Sequence, residues 1–190
     1  MILRQFQSVG RDLFSQGLVS SNSGNLSIRL GENTIITRRG SRLGCIDEND
    51  LIETGINKNN RATPLASVEL PVHRAIYQQT AAQAIVHAHP PHTIALSTTE
   101  TGIIPSNEWR AIIGDRVPVL SWNIETKPGE LGDIIALALK EYRVVIVWGH
   151  GTFAVGQLLE EAYHLTTALE SSCQVGCLCK SLQVNSPQRD

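Results

Sequence analysis

The sequence predicts an α/β domain whose sheet is partly antiparallel, and three observations carry that prediction. Helical and strand patterns alternate along the 190 residues instead of segregating. Several of the connections between them are too short for a parallel crossover, which requires antiparallel neighbours in part of the sheet. Finally, 42% of residues are hydrophobic and only 18% are charged. That is enough apolar material for a core without covalent staples, and too little charge for a solvated, disordered chain.

The elements follow in order. Residues 2–17 place Phe6, Val9, Leu13 and Phe14 at helical spacing, and Gly17 ends the pattern. Asn25–Arg29 and Thr34–Thr37 read as two short strands joined by a turn at Gly31–Asn33. The polar run Asp47–Pro64 is one connection with room for a strand. Ser67 is expected to cap a helix running to about Gln79, with Pro71 in its first turns, where a missing N–H costs little. Ala84–Ala88 and Pro118–Ser121 are short apolar runs with the character of buried strands. Gly129–Tyr142 carries an apolar stripe of Leu131, Ile134, Ile135, Ala138 and Leu139 at helical spacing. Val144–Trp148 is the strongest strand signal, and Thr152–Val155 is expected to pair near it. A long helix from Leu158 to about Leu182 puts Leu158, Ala162, Leu165 and Leu169 on one face. No repeat or linker divides the chain, so residues 1–183 read as one domain and 184–190 as a short polar tail.

Charge and composition exclude several functions. Sixteen Lys and Arg against eighteen Asp and Glu leave a formal charge of −2, with no basic run to attract nucleic acid. No stretch approaches the ~18 consecutive apolar residues of a membrane span. The N-terminus has charges within its first turns and no small-residue cleavage site, unlike a secretory signal. Four cysteines without such a signal suggest reduced thiols and a cytoplasmic protein.

The chemistry concentrates in the histidines. His87 and His89 stand at i and i+2 at the end of a strand, so their imidazoles share one side. His150 follows the strongest strand between Gly149 and Gly151, which leave room beside its ring. Three neutral imidazoles with an open position form a pattern for catalytic zinc; the plainer reading is edge-strand and turn histidines. Glu69 and His73 form an i, i+4 pair near a helix start, where the dipole favours a carboxylate. Alone, Glu69 would be an ordinary surface residue. Residues 20–27, SSNSGNLS, offer hydroxyls and backbone N–H groups that can cradle an anion or simply form a polar turn. Thr37–Arg42 is a second polar loop, with three arginines. His92 is a candidate partner near the metal strand, and His164 reads as structural. Cys173, Cys177 and Cys179 do not share one helical face well, which favours packing over metal binding.

Taken together, Gly24-Asn25-Leu26-Ser27, Thr37-x-x-Gly40, Ser67-x-Glu69-x-x-x-His73, His87-x-His89-Pro90 and Gly149-His150-Gly151 resemble the class II aldolase/adducin family, in its L-fuculose-1-phosphate aldolase branch. The resemblance spans about residues 1–183. It implies a three-layer α/β/α fold around a mixed, largely antiparallel sheet. It also implies one divalent metal per chain, usually Zn2+, on His87, His89 and His150. Glu69 would ligate the resting metal and then act as base. A phosphate site would correspond to Gly24, Asn25, Gly40 and Ser67. The implied activity is retro-aldol cleavage of a ketose 1-phosphate to dihydroxyacetone phosphate and an aldehyde, in a homotetramer with sites at subunit interfaces.

The sequence departs from the family at Arg39 and Val68, where serines are usual, and near Trp109, where the aldolase general acid is a tyrosine. Arg39 could replace a lost hydroxyl as a charge-assisted donor, and Glu108 or a water could replace the tyrosine. Alternatives on the same scaffold are a pentulose-phosphate 4-epimerase, a sugar-phosphate dehydratase, a decarboxylase, and a non-catalytic adducin-like interaction domain.

Overall fold

The computed structural model describes residues 2–121 and 128–182. Helix α1 (Ile2–Ser15) leads into the hairpin β1 (Asn25–Leu30) and β2 (Asn33–Thr37), then β3 (Leu51–Gly55), α2 (Leu70–Gln79) and β4 (Ala84–Ala88). The second half comprises α3 (Pro91–Ser97), β5 (Gly102–Ile103), α4 (Asn107–Ile113), β6 (Val117–Leu120), α5 (Pro128–Ala138), β7 (Val144–Val147), β8 (Gly151–Gly156) and α6 (Leu159–Ser181).

One eight-stranded sheet results, in the order β3-β2-β1-β4-β8-β7-β6-β5. Every neighbouring pair is antiparallel except β6 with β7. The expected mixed, largely antiparallel sheet is therefore present. Alternation along the strands sends side chains to two cores. Val144 and Ile146 join Phe6, Leu13, Leu165 and Leu169 on the face covered by α1 and α6. Val145, Val147, Ile85 and Phe153 join Val72, Ile76 and Ile135 on the face covered by α2 and α5. Strands sandwiched in this way lose their polar face, which explains the near-continuous apolar runs of β4 and β7.

Several boundaries differ from expectation. Glu69, not Ser67, is the N-cap of α2; Ser67 lies two residues earlier, where its Oγ accepts the Glu69 N–H at 3.3 Å. Pro71 at the second helical position sets the start later than the serine suggests. The polar run contains β3, as expected. Helices α3 and α4, seven residues each, and the two-residue β5 lie where no element was expected. Helix α5 ends at Ala138, short of Tyr142. The polar tail 184–190 lies outside the described residues.

Candidate metal centre and anion rim

The central pair β4 and β8 builds the site. Register pairs His87 with Phe153 and Ala88 with Thr152, and β1 brings Asn25 opposite His87 on the other side. The turn between β7 and β8 returns His150 over the end of β4. Gly151 permits that return: a Cβ there would stand 2.4 Å from the Ala88 carbonyl oxygen and within 3.2 Å of both the His87 and His89 rings. The three rings converge, with centroids 4.8 to 5.1 Å apart, and one donor nitrogen from each lies within 4.8 Å of the others. Phe153 stacks against His87 at 4.2 Å and fixes its plane.

Glu69 enters from the start of α2. Its Oε2 lies 3.1 Å from His87 Nε2, and its Oε1 lies 3.3 Å from His150 Nε2. Burial alone would raise this carboxyl. Hydrogen bonds from His150 and Asn25 to the ionised form outweigh it and hold the group well below the usual carboxylate range. Glu69 is therefore ionised at neutral pH.

The proton positions test whether these residues fit a cation. His87 Nδ1 lies 2.9 Å from the Thr152 carbonyl, which only accepts, so Nδ1 carries the proton and Nε2 a bare lone pair. His87 is fully buried, and burial pushes its imidazole below the ordinary value despite Glu69. It stays neutral. Its bare Nε2 then faces a carboxylate oxygen at 3.1 Å and His89 Nε2 at 2.9 Å. The carboxylate contact sets acceptor against acceptor and is repulsive, and a cation among these atoms turns it favourable. Burial, then the neighbouring His87 and His150, lowers His89 to about 4, so it too offers a lone pair at neutral pH. The set of imidazoles plus one carboxylate, with an outer carbonyl fixing the His87 tautomer, suits Zn2+ or a similar divalent ion.

A cavity of about 260 Å³ opens beside these rings. Its rim comprises Asn22, Ser23 and Gly24 from one loop, Arg38, Arg39 and Gly40 from another, and Ser67 with Val68 from the approach to α2. The loops are laced together by the backbone: Arg39 N donates to Leu65 O, and Ser67 N donates to Thr37 O. Gly24 sits at φ +76°, and a Cβ there would come within 2.6 Å of the Val19 side chain. Arg38 and Arg39 are exposed along this rim, as is Val68. The Asn25 side chain is engaged inward: its Nδ2 donates to Glu69 Oε2 at 2.6 Å, and its Oδ1 meets His73 Nε2 at 2.5 Å.

Other expected residues lie elsewhere. Glu108 and Trp109 do not line this cavity; Trp109 packs against the core beneath α6. His92 points to Glu170, whose carboxylate accepts from the His92 and Thr93 backbone N–H groups and caps α3. His164 is exposed on α6. Cys173 is buried in the core, where burial pushes its thiol up to about 12; Cys177 packs beside it. Cys173 and Cys177 thus pack, as their spacing suggested, while Cys179 stays half-buried outside that cluster. Sequence reading missed the Thr152 carbonyl and the bridging position of Asn25, because a backbone acceptor and a pairing 44 residues apart leave no local signal.

Three imidazoles and a carboxylate gathered at the ends of the central strands, between two helical layers, define a scaffold suited to metal-assisted chemistry. Comparison with known proteins takes the assignment further. The profile of the Class II Aldolase and Adducin N-terminal domain matches residues 4–177, and the chain belongs to that family. A solved L-fuculose-1-phosphate aldolase from Thermus thermophilus is 37% identical, with a TM-score of 0.88 and 95% of each chain covered. A probable bifunctional methylthioribose-1-phosphate isomerase/methylthioribulose-1-phosphate dehydratase of Nocardia farcinica is 27% identical over 88% of this chain; the match spans only 34% of that protein. A 3-oxo-tetronate 4-phosphate decarboxylase of Pectobacterium atrosepticum is 27% identical over 88% of this chain and 79% of its own length. The family is typically metal-dependent. No helix among the described residues is long and apolar enough to cross a membrane.

Proposed function

We propose that the protein is a Zn2+-dependent aldolase that cleaves a ketose 1-phosphate, of the L-fuculose-1-phosphate kind, to dihydroxyacetone phosphate and an aldehyde. The observation that carries this reading is the convergence of His87, His89, His150 and Glu69 at the wall of a cavity rimmed by Arg38 and Arg39. His87, His89 and His150 hold the ion, with Glu69 as its fourth partner in the resting protein. When bound, the metal supplies Lewis-acid polarisation of the substrate carbonyl.

This chain's own residues do the rest. Gly24, Asn25, Arg39, Gly40 and Ser67 form the substrate rim; Arg39 and backbone N–H groups receive the phosphate. A base removes the C4 hydroxyl proton, the C3–C4 bond breaks and the aldehyde forms. The electron pair passes to C2 as an enediolate. Glu69, having taken up a proton from solvent once substrate fills the cavity, then delivers it to C3 to release dihydroxyacetone phosphate, and the base returns the C4 proton to solvent. In the synthetic direction the same carboxylate removes that proton. Such a role is worth about 10²–10⁴-fold in rate. The base for the C4 hydroxyl is expected from a neighbouring subunit of a homotetramer, since Glu108 and Trp109 stand away from the cavity of their own chain. The molecule is expected to work in the cytoplasm, where its free thiols stay reduced.

Deuterium wash-in at the hydroxymethyl carbon of dihydroxyacetone phosphate, followed by NMR in the presence of zinc, tests this. Wild-type protein is expected to exchange the hydrogen. Glu69→Gln is expected to lower the rate about 10²–10⁴-fold with the fold intact; full exchange by that variant removes Glu69 from the mechanism. A second reading is favoured by Arg38 and Arg39 standing on the rim. Guanidinium groups also receive a carboxylate, which suits a sugar-acid phosphate and decarboxylation on the same centre. CO2 release from such a substrate, without exchange of dihydroxyacetone phosphate, would select it.

A further inference from the structure

Behind Asn25 runs a line of buried polar side chains that the metal-and-carboxylate scheme does not use. His73 is fully buried on α2, with Nε2 at 2.5 Å from Asn25 Oδ1 and Nδ1 at 2.6 Å from Ser27 Oγ. Ser27 Oγ in turn meets the Tyr77 hydroxyl at 2.7 Å. Ser27 and Tyr77 are also buried. Two elements contribute: β1 supplies Asn25 and Ser27 two residues apart on one side of the strand, and α2 supplies His73 and Tyr77 one turn apart facing them. Glu69 sits one turn before His73.

The chemistry of these groups fixes every proton. The Glu69 carboxylate only accepts, so Asn25 must turn its NH2 toward it. Its Oδ1 then faces His73 and can only accept, which places the imidazole proton on Nε2. Nδ1 is therefore bare and must accept from the Ser27 hydroxyl. The single Ser27 proton being so committed, the Tyr77 hydroxyl must donate to Ser27. Reversing any one link would set two donors or two acceptors against each other in a buried place.

We propose that His73, with Ser27 and Tyr77 behind it, is a positioning residue for Glu69. It locks the Asn25 amide so that Oε2 of the carboxylate is occupied and Oε1 is the oxygen that exchanges the substrate proton. This rests on Glu69 as the proton carrier of the proposed function. Oε2 receives Asn25 Nδ2 at 2.6 Å, whereas Oε1 makes the longer 3.3 Å contact with half-buried His150, a ring that itself lines the cavity. The line thus orients the base from its blind side, without touching substrate.

The test has two arms. In protein with 15N-labelled histidine, His73 is assigned by its loss in His73→Gln, and its tautomer is read by NMR. The neutral form with the proton on Nε2 is expected; a proton on Nδ1 overturns the proposal. The Ser27→Ala variant, which strips the bare Nδ1 of its donor, is then expected to keep the proton on Nε2, to shift the His73 Nδ1 resonance, and to lower the dihydroxyacetone phosphate exchange rate about tenfold, with KM held within about twofold. Unchanged exchange in a folded Ser27→Ala variant overturns the proposal. If that variant does not fold, Tyr77→Phe, which removes one hydroxyl further out, takes its place with an expected loss of about threefold, and unchanged exchange again overturns it. The tautomer arm needs no substrate. A wild type that fails to exchange dihydroxyacetone phosphate therefore sinks the aldol reading, and His73's tautomer still decides the line.

Discussion

The imidazole wall and the arginine rim border the same cavity and are built on opposite principles. The wall stands on β4 and β8, in the middle of the sheet. His87 is stacked on Phe153, tied to the Thr152 carbonyl and closed off from water. The rim is two loops held by a few backbone bonds, with Arg38 and Arg39 exposed to solvent. A wall held this rigidly fixes which chemistry is possible, because donor geometry must be held to a fraction of an ångström. A rim of exposed side chains on loops sets which molecule is presented to that chemistry, and can change without disturbing the core. This division makes sense of a family whose members share a fold while their names span aldolase, dehydratase and decarboxylase.

The largest effect is expected from the wall. His89→Ala removes a ligand that is only half-buried, so the fold should survive. Loss of several kcal/mol of electrophilic stabilisation, at about 1.4 kcal/mol per decade, lowers turnover about a thousandfold or more. Elemental analysis should find the bound metal gone. One metal per chain retained on the variant would break the ligand set.

The same contrast explains what could be read from the sequence. The convergence of His87, His89 and His150 was legible because strand periodicity places His87 and His89 on one side, and Gly149 and Gly151 mark a backbone squeezed past a neighbour. The sheet's mixed character followed from connection lengths. Helices α3 and α4 were not legible: seven residues are too few for a periodic stripe, and the Pro90-Pro91 pair that starts α3 reads equally well as a turn. Strand β5 exists only through its pairing with β6. The Glu69–His73 pair was visible at i, i+4, but the Asn25 bridge that gives it meaning is non-local.

Acid should separate the two regions next. Burial, reinforced by His87 and opposed by Glu69, lowers His73 to about 3 from its ordinary 6.5. Between those values the unfolded chain binds a proton that the folded chain refuses. Stability therefore rises with pH through this window, levels off above about 6.5, and falls on acidification. From pH 7 to pH 5 the loss from this one group is about 2 kcal/mol. His89, lowered to about 4, acts in the same direction. Glu69 contributes only below the ordinary carboxylate value, since its own pKa is depressed. Urea unfolding of metal-free protein at the two pH values measures the change, and His73→Gln should reduce it by about 2 kcal/mol, the His73 share. A wild type equally stable at both would mean that His73 is protonated in the folded state.

The smallest effect is expected at the rim, and its form matters more than its size. Arg39 stands on the cavity with Ser67 and Gly40. A guanidinium that meets a phosphate oxygen contributes through the bound ground state and the transition state alike, because the phosphate takes no part in bond breaking. Arg39→Ala should therefore raise KM for a ketose phosphate about tenfold, the worth of one charge-assisted hydrogen bond in a solvated place, and leave kcat unchanged. Inhibition by inorganic phosphate should weaken by a similar factor, while metal content and unfolding midpoint stay at wild-type values. A loss in kcat instead would tie the rim to the geometry of the wall and end the division drawn between them. An unchanged KM would turn Arg39 away from the anion and leave the backbone N–H groups around Gly24 and Gly40 to hold it.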